Sequence, residues 1–369
     1  MKNEQIIIGA GSVSQISKVL DSYNVKKFML VCGNSFDKQS FKRYFEQISI
    51  PFVRFSDFSP NPLYEYVCKG VDAFKKNNCD CLVAVGGGSA IDVAKCIKLF
   101  CKMDDSKNYL TQPYADTGII LITVPTTAGT GSESTRHAVI YLEGEKQSIS
   151  HDSLVPEVAI LDSLTLKKLP LYHKKSAMLD ALCQAIESWW SVSSNKESKD
   201  YSKQATGIIM QNWEAYIEKG DAYASEQIML AANLAGRAIN ITATTAAHAM
   251  SYKLSSIYGI SHGHAVAVCL PNVWEHMTLN LKDCVDPRGE AYLQSIFEDI
   301  RKVMGCLSVE EGISLFREIL SKLKIKAPVR RDKRDIDILA NSVHLERLNN
   351  NPVKLNKKAL CSLYSDIIE

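Results

Sequence analysis

Short apolar runs alternate with helically patterned stretches over the first 160 or so residues, and that alternation narrows the folds open to the chain. Lys27 to Cys32 (KFMLVC), Cys81 to Val85 (CLVAV) and Ile119 to Val124 (IILITV) read as strands buried on both faces. Between them, Tyr64 to Asn77 carries apolar residues at helical spacing. Strands alternating with helices predict βαβ units and a parallel sheet covered on both sides. Beyond about Thr165 the pattern changes. Lys175 to Val192, Asp200 to Glu218 and Ser225 to Leu254 read as long helices with few strand-like runs between them. The expected organisation is an α/β domain over residues 1–165 and a helical domain over 166–369, with the boundary near Asp162 to Pro170. A chain of 369 residues is long enough for two cores.

Composition narrows the function classes. The net charge is +2 and there is no long basic run, which argues against a nucleic-acid partner. No 18-residue apolar run and no signal-peptide-like start are present, so no membrane partner and a cytoplasmic location are expected. The 11 cysteines are scattered, with Cys79 and Cys81 the closest pair and no second pair to match them, which points to reduced thiols.

Two glycine-rich elements follow predicted strands. Gly86-Gly87-Gly88-Ser89 opens a helix, where glycines admit an anion to backbone N–H groups and the helix dipole adds positive potential. Ser89 and Asp92 also fit a capping pair. The spacing is not the G-x-G-x-x-G fingerprint. The second element, Pro125-Thr126-Thr127-Ala-Gly129-Thr130-Gly131-Ser132-Glu133, places hydroxyls at the carboxyl end of a strand, where open α/β sheets bind ligands. In the helical half, Asp180 and Gln184 are one turn apart and share a helix face. With His248 and His262 they compose an oxygen- and imidazole-rich set suited to a catalytic divalent cation rather than a closed structural zinc site.

These motifs, in this order, resemble the iron-containing (group III) alcohol dehydrogenases, and the likeness runs from Ile6-Ile-Ile-Gly-Ala-Gly11 to Leu270-Pro271. The resemblance implies an N-terminal Rossmann-like dinucleotide-binding α/β domain with a parallel sheet, and an all-α metal-binding domain, in a dehydroquinate synthase-like architecture. It implies NAD(P)H as cofactor, with Gly87, Gly88 and Ser89 at the pyrophosphate, Thr126, Thr127 and Ser132 along the cofactor, and Asp92 towards the nicotinamide. It implies one divalent metal, Fe2+ or Zn2+, on Asp180, His248 and His262, a small aldehyde or alcohol as substrate, and a homodimer.

Three positions depart from the family pattern. Gln184 stands where a histidine ligand is usual, either as a weaker fourth donor or leaving a three-ligand site. Tyr252 stands where many members carry a proton-relaying histidine, so it is either the proton donor or a packed helix-face tyrosine. The stretch Cys32-Gly33-Asn34-Ser35 lacks the aspartate that commonly selects NAD, and Gly33 with Ser35 or Lys38 leaves room for a 2′-phosphate and hence NADPH. His264, two residues after a ligand, is expected to orient a metal-bound imidazole.

A narrower resemblance is to the phosphonoacetaldehyde reductase branch, carried by Ser132-Glu-Ser-Thr-Arg136-His137-Ala, Cys-Gln184-Ala-Ile-Glu-Ser-Trp-Trp and Ile260-Ser-His-Gly-His-Ala. It implies a phosphonate-bearing aldehyde, for which Arg136, His137 and Lys146 (with Arg237) are the candidate contacts, since a fixed guanidinium fork suits a tetrahedral anion. The competing expectations are a short neutral aldehyde or alcohol, a dehydroquinate synthase-like enzyme, and an inactive metal-poor paralogue.

Overall fold

The computed structural model describes residues 4–344 and 348–368. Six strands form one sheet in the order β1 (Gln5–Ile8), β8 (Val158–Leu161), β5 (Ile120–Pro125), β4 (Cys81–Gly86), β2 (Phe28–Cys32), β3 (Phe52–Phe55), with every neighbouring pair parallel. Side chains alternate across such a sheet, and both faces are apolar. Phe28, Leu30 and Cys32 of β2, with Cys81, Val83 and Val85 of β4, pack on α1 (Ile16–Ser22) and α2 (Lys42–Glu46). Met29, Val31, Leu82 and Ala84 face the other way, onto α3 (Tyr64–Lys76) and α4 (Gly88–Phe100). The continuous apolar runs in the sequence therefore mark strands covered twice.

An antiparallel hairpin, β6 (His137–Leu142) and β7 (Glu145–Ser150), lies on the α4 side through Ala138, Ile140 and Ile149. Its turn residues Glu143 and Gly144 both have positive φ, 53° and 81°, as a two-residue primed turn requires. Two lysines of α4 are fully buried. Lys98 Nζ pairs with both oxygens of Glu157 at 2.9 and 3.1 Å, and Lys95 Nζ donates to the Thr135 carbonyl at 2.6 Å and the His137 carbonyl at 2.8 Å. Lys95 thereby ties α4 to the segment leading into the hairpin.

Contacts divide the chain into Met1–Leu169 with Gly220–Asn233, and Pro170–Lys219 with Leu234–Glu369. The excursion of residues 220–233 to the first unit has no counterpart in the sequence pattern. The second unit is helical: α5 (Leu171–Trp190), α6 (Lys196–Glu214), the later part of α7 (Ala222–Thr242), α8 (Ala246–Tyr258), α9 (His262–Leu279), α10 (Glu290–Val303), α11 (Val309–Lys322), α12 (Asp335–Ser342) and α13 (Lys357–Ile367). The long helix expected over Ser225 to Leu254 is broken at Ala243, whose φ of 56° is left-handed, so α7 and α8 are separate. Trp190 is completely buried against Trp274 and Phe297, a packing role for an indole whose Nε1 donates to Thr245 Oγ1 at 3.0 Å.

Helices α5 and α9 meet closely at Gly263. A Cβ there would lie 2.1 Å from the Ser176 carbonyl oxygen and 2.8 Å from Asp180 Cβ. This glycine brings the start of α9, and with it His262, against Asp180.

Candidate active site

Asp180, Gln184 and Glu187 recur on one face of α5, and all three are buried. Buried carboxylates demand partners, and α8 and α9 supply them. His248 Nε2 lies 3.3 Å from Asp180 Oδ1, and His262 Nε2 lies 3.9 Å from the same oxygen. One ligand atom from each of the three residues falls within 4.8 Å of the others. Asp180 Oδ1 and His248 Nε2 are buried and make no hydrogen bond of good geometry. Two converging buried polar atoms of this kind, with a second imidazole beside them, fit a divalent cation such as iron or zinc.

Both imidazoles are turned to present Nε2. Nδ1–H of His248 is donated to Glu187 Oε2. Ser251 Oγ gives its hydrogen to the His248 carbonyl at 2.8 Å, which leaves it to accept from His262 Nδ1 at 3.4 Å. Burial opposes charge on His248, yet the carboxylates of Glu187 and Asp180 outweigh it and push its pKa up to about 10. Burial would raise Asp180 in turn, but the neighbouring His248 and the charge of His262 hold it below the usual carboxylate range, with a contribution from Gln184. A cation taking Nε2 of His248 therefore displaces a proton.

Glu187 is the site residue that sequence reasoning missed. Its signal was present: it lies seven residues after Asp180, two turns along the same face. Tyr252, one turn after His248 on α8, lays its ring parallel to His262 at 5.5 Å and 3°, so the structure brings it to the cluster. His264 does other work than expected. Its Nε2 donates to the Lys326 carbonyl at 2.8 Å and its Nδ1 accepts from the Tyr172 hydroxyl at 3.1 Å, so neither nitrogen remains for orienting a ligand. That role falls to Glu187 and Ser251.

In the first unit the glycine turn and the threonine loop are brought together. No left-handed φ occurs at Gly86, Gly87 or Gly88; what the glycines provide is space. A Cβ on Gly87 would come 3.2 Å from Thr127 Cγ2, and one on Gly88 would come 3.1 Å from Thr130 Cγ2. The start of α4 has no side-chain cap, so the expected Ser89–Asp92 capping pair does not form. Asp92 instead accepts from Ser132 Oγ at 2.7 Å and from the Val139 N–H at 3.1 Å, fixing the loop and the hairpin to α4. A half-buried helix start without a side-chain cap, lined by glycines and faced by hydroxyls, fits a dinucleotide pyrophosphate. At the end of β2, Gly33 faces open space and Ser35 is exposed. An acid does stand there: Asp37 accepts from Arg54 at 2.8 Å, and Arg54 also donates to the Gly33 carbonyl at 3.3 Å.

The anion-binding expectation fares differently. Arg136 Nη1 donates to Asp152 Oδ1 at 3.0 Å, so its charge is already paired. His137 Nδ1 bonds Ser150 Oγ at 2.7 Å, and burial, with the charges of Lys95 and Arg136, drives its pKa down to about 4. It is neutral at pH 7 and brings no positive charge. Lys146 lies on β7, and its charge bears on Asp92.

The sequence profile of the iron-containing alcohol dehydrogenases matches residues 3–163, and that of the Fe-containing alcohol dehydrogenase family C-terminal region matches residues 175–368. The chain belongs to the iron-containing alcohol dehydrogenase family. Both halves of the fold inferred from its motifs, the parallel α/β sheet and the helical unit, are therefore those of this metal-dependent enzyme family. A probable alcohol dehydrogenase of Escherichia coli is 31% identical over 255 residues, 67% of this chain and 64% of its own length, so the chain spans just under two thirds of that relative. A phosphonoacetaldehyde reductase of Streptomyces viridochromogenes is 27% identical over 303 residues, 78% of this chain and 76% of that one. The crystal structure of a sulfoacetaldehyde reductase from Bifidobacterium kashiwanohense in complex with NAD+ superposes with a TM-score of 0.89 at 26% identity, covering 100% of this chain and 97% of that one. Among the described residues no helix is long and apolar enough to cross a membrane.

Proposed function

We propose that this member of the family reduces a small aldehyde to its alcohol with a nicotinamide cofactor and a divalent metal, and that the substrate is a two-carbon aldehyde bearing a tetrahedral anion, phosphonoacetaldehyde first among them. The observation that carries the first part is the convergence of Asp180, His248 and His262, with two buried polar atoms turned on one point. The narrower substrate reading is supported by two similar proteins named for phosphonoacetaldehyde and sulfoacetaldehyde.

The metal, when bound, supplies a Lewis acid that polarises a carbonyl, and the nicotinamide supplies the hydride. The chain's own residues do the rest. Asp180 and the two imidazoles hold the cation, and Glu187 and Ser251 keep both rings turned. Gly87, Gly88 and Ser89 offer N–H groups to the pyrophosphate, and Thr126 and Thr127 line the cofactor's path. Tyr252 gives the proton from its phenol, with Gln184 as a neutral donor at the edge of the metal site. We assign NADPH and NADH as alternatives decided at Gly33, Ser35 and Lys38, and place the enzyme in the cytoplasm as a homodimer.

The neutral-aldehyde reading keeps one specific support: Arg136 is paired with Asp152 and His137 is uncharged. Oxidation of NADH and NADPH with phosphonoacetaldehyde, sulfoacetaldehyde and acetaldehyde separates the two. A preference for the anionic substrates that collapses in Lys146→Met supports the narrower reading; equal use of acetaldehyde refutes it. Loss of both zinc binding and turnover in Asp180→Ala is expected, and retained turnover without metal overturns the whole assignment.

A further inference from the structure

We infer that Glu187 is a positioning residue that fastens the imidazole of His248 to the first turn of α8, so that metal binding and the start of that helix depend on one carboxylate. This rests on the metal site proposed above.

Glu187 is fully buried on α5, and donors meet both of its oxygens. Oε1 accepts the N–H groups of Thr245 at 3.2 Å, Ala247 at 3.0 Å and His248 at 3.3 Å, together with the Thr245 hydroxyl at 2.7 Å. Oε2 takes Nδ1–H of His248. Thr245 precedes α8 but makes no side-chain capping bond of its own. A helix start leaves its first N–H groups without intrahelical partners, and here a carboxylate from a different helix answers them, its charge favoured by the dipole. His248 is held twice by one group, through its main-chain N–H and through its ring. The ring cannot turn while Glu187 stays, and its Nε2 stays directed at Asp180.

The chemistry requires a carboxylate rather than an amide. Donors approach from both sides, so both atoms at the head of the side chain must accept. A glutamine offers one acceptor and one NH2. With four donors on one side, its oxygen goes to α8 and its NH2 faces His248 Nδ1. The neutral ring of His248 then favours the tautomer with its proton on Nε2, whereas ligation through Nε2 needs the Nδ1–H tautomer that the carboxylate favours. Second partners of metal-bound histidines are typically worth ~10–100-fold in metal affinity.

The test is Glu187→Gln in the full chain, with Zn2+ affinity measured by chelator competition and the melting of the metal-free protein followed by circular dichroism. A fall in Zn2+ affinity of ~10–100-fold with little change in melting is expected. An unchanged affinity overturns the inference, as does a lowered melting temperature with normal affinity in the folded fraction, which is what a merely structural role gives. Should the variant fail to fold, 15N histidine spectra of zinc-loaded wild type decide: His248 as the Nδ1–H tautomer supports the inference, and the Nε2–H tautomer overturns it. Wild type that binds no Zn2+ removes the metal reading and the inference with it, whereas wild type that binds while Glu187→Gln matches it removes the inference alone.

Discussion

Replacing Gly263 by alanine sets two effects of opposite sign against each other. Alanine is favoured over glycine by ~1 kcal/mol in a helix interior, and at Gly263, in the first turn of α9, by at most that. Against this, the new Cβ would stand 2.1 Å from the Ser176 carbonyl oxygen, where carbon–oxygen contacts ordinarily begin near ~3.3 Å. The obstacle is main chain, so no side-chain rotation relieves it, and α5 and α9 must part by about 1 Å. Overpacking of this kind costs ~1–3 kcal/mol, and the rigid backbone puts it at the upper end. The net expectation is a loss of about 2 kcal/mol in urea unfolding of the metal-free protein. The functional loss is larger. Ligand distances in a metal site tolerate ~0.2 Å, and His262 moves with Gly263 while Asp180 lies on the other helix, so Zn2+ affinity falls as well. Urea midpoints and chelator competition on Gly263→Ala measure the two together. A variant more stable than wild type with unaltered affinity would refute the argument, because it would mean that the helices have room to spare at this crossing.

Two further outcomes are expected in the first unit. Lys98→Met leaves the Glu157 carboxylate buried with no lysine partner, while the Leu121 N–H still donates to it, and is expected to cost ~3–5 kcal/mol; Lys98→Met with Glu157→Gln is expected to cost less than the sum of the single changes, and strict additivity would refute the pairing. His137 gives a pH dependence. Its pKa of about 4 in the fold stands below the value near 6.5 in an unfolded chain, so the unfolded state binds the proton more readily. The stability this contributes, on the order of 3 kcal/mol, is present above pH ~6.5 and is lost as the pH falls towards 4. Urea unfolding from pH 7 to pH 4.5 should show a shallower decline in His137→Asn, and parallel curves would refute the assignment.

Three inner strands, Phe28–Cys32, Cys81–Gly86 and Ile120–Pro125, were legible because each is a run of apolar residues covered on two sides, whereas the edge strands Gln5–Ile8 and Phe52–Phe55, more exposed, gave no such signal. The candidate ligand set was legible for a different reason: Asp180, His248 and His262 stood out in the sequence as an oxygen- and imidazole-bearing group, and α5, α8 and α9 bring them together. What was not legible depended on partners distant in sequence. The break at Ala243 carries no proline or glycine, since the start of α8 is answered by Glu187 on another helix. The hairpin turn at Glu143-Gly144 lacks the usual Asn-Gly or Asp-Gly signal. Arg136 was a candidate substrate contact, and Asp152, sixteen residues away, gave no local sign that it is the partner. His264 shared a motif with His262, yet two residues along a helix turn a side chain well away from its neighbour.

The methyl groups of Thr127 and Thr130 occupy the space that side chains at positions 87 and 88 would need. A Cβ at either position asks the threonine opposite to give by a few tenths of an ångström. The two members of each couple are therefore linked, and among descendants of a common ancestor their columns should tend to change together. A designer wishing to reshape this cradle has to consider both strand-end loops in one step.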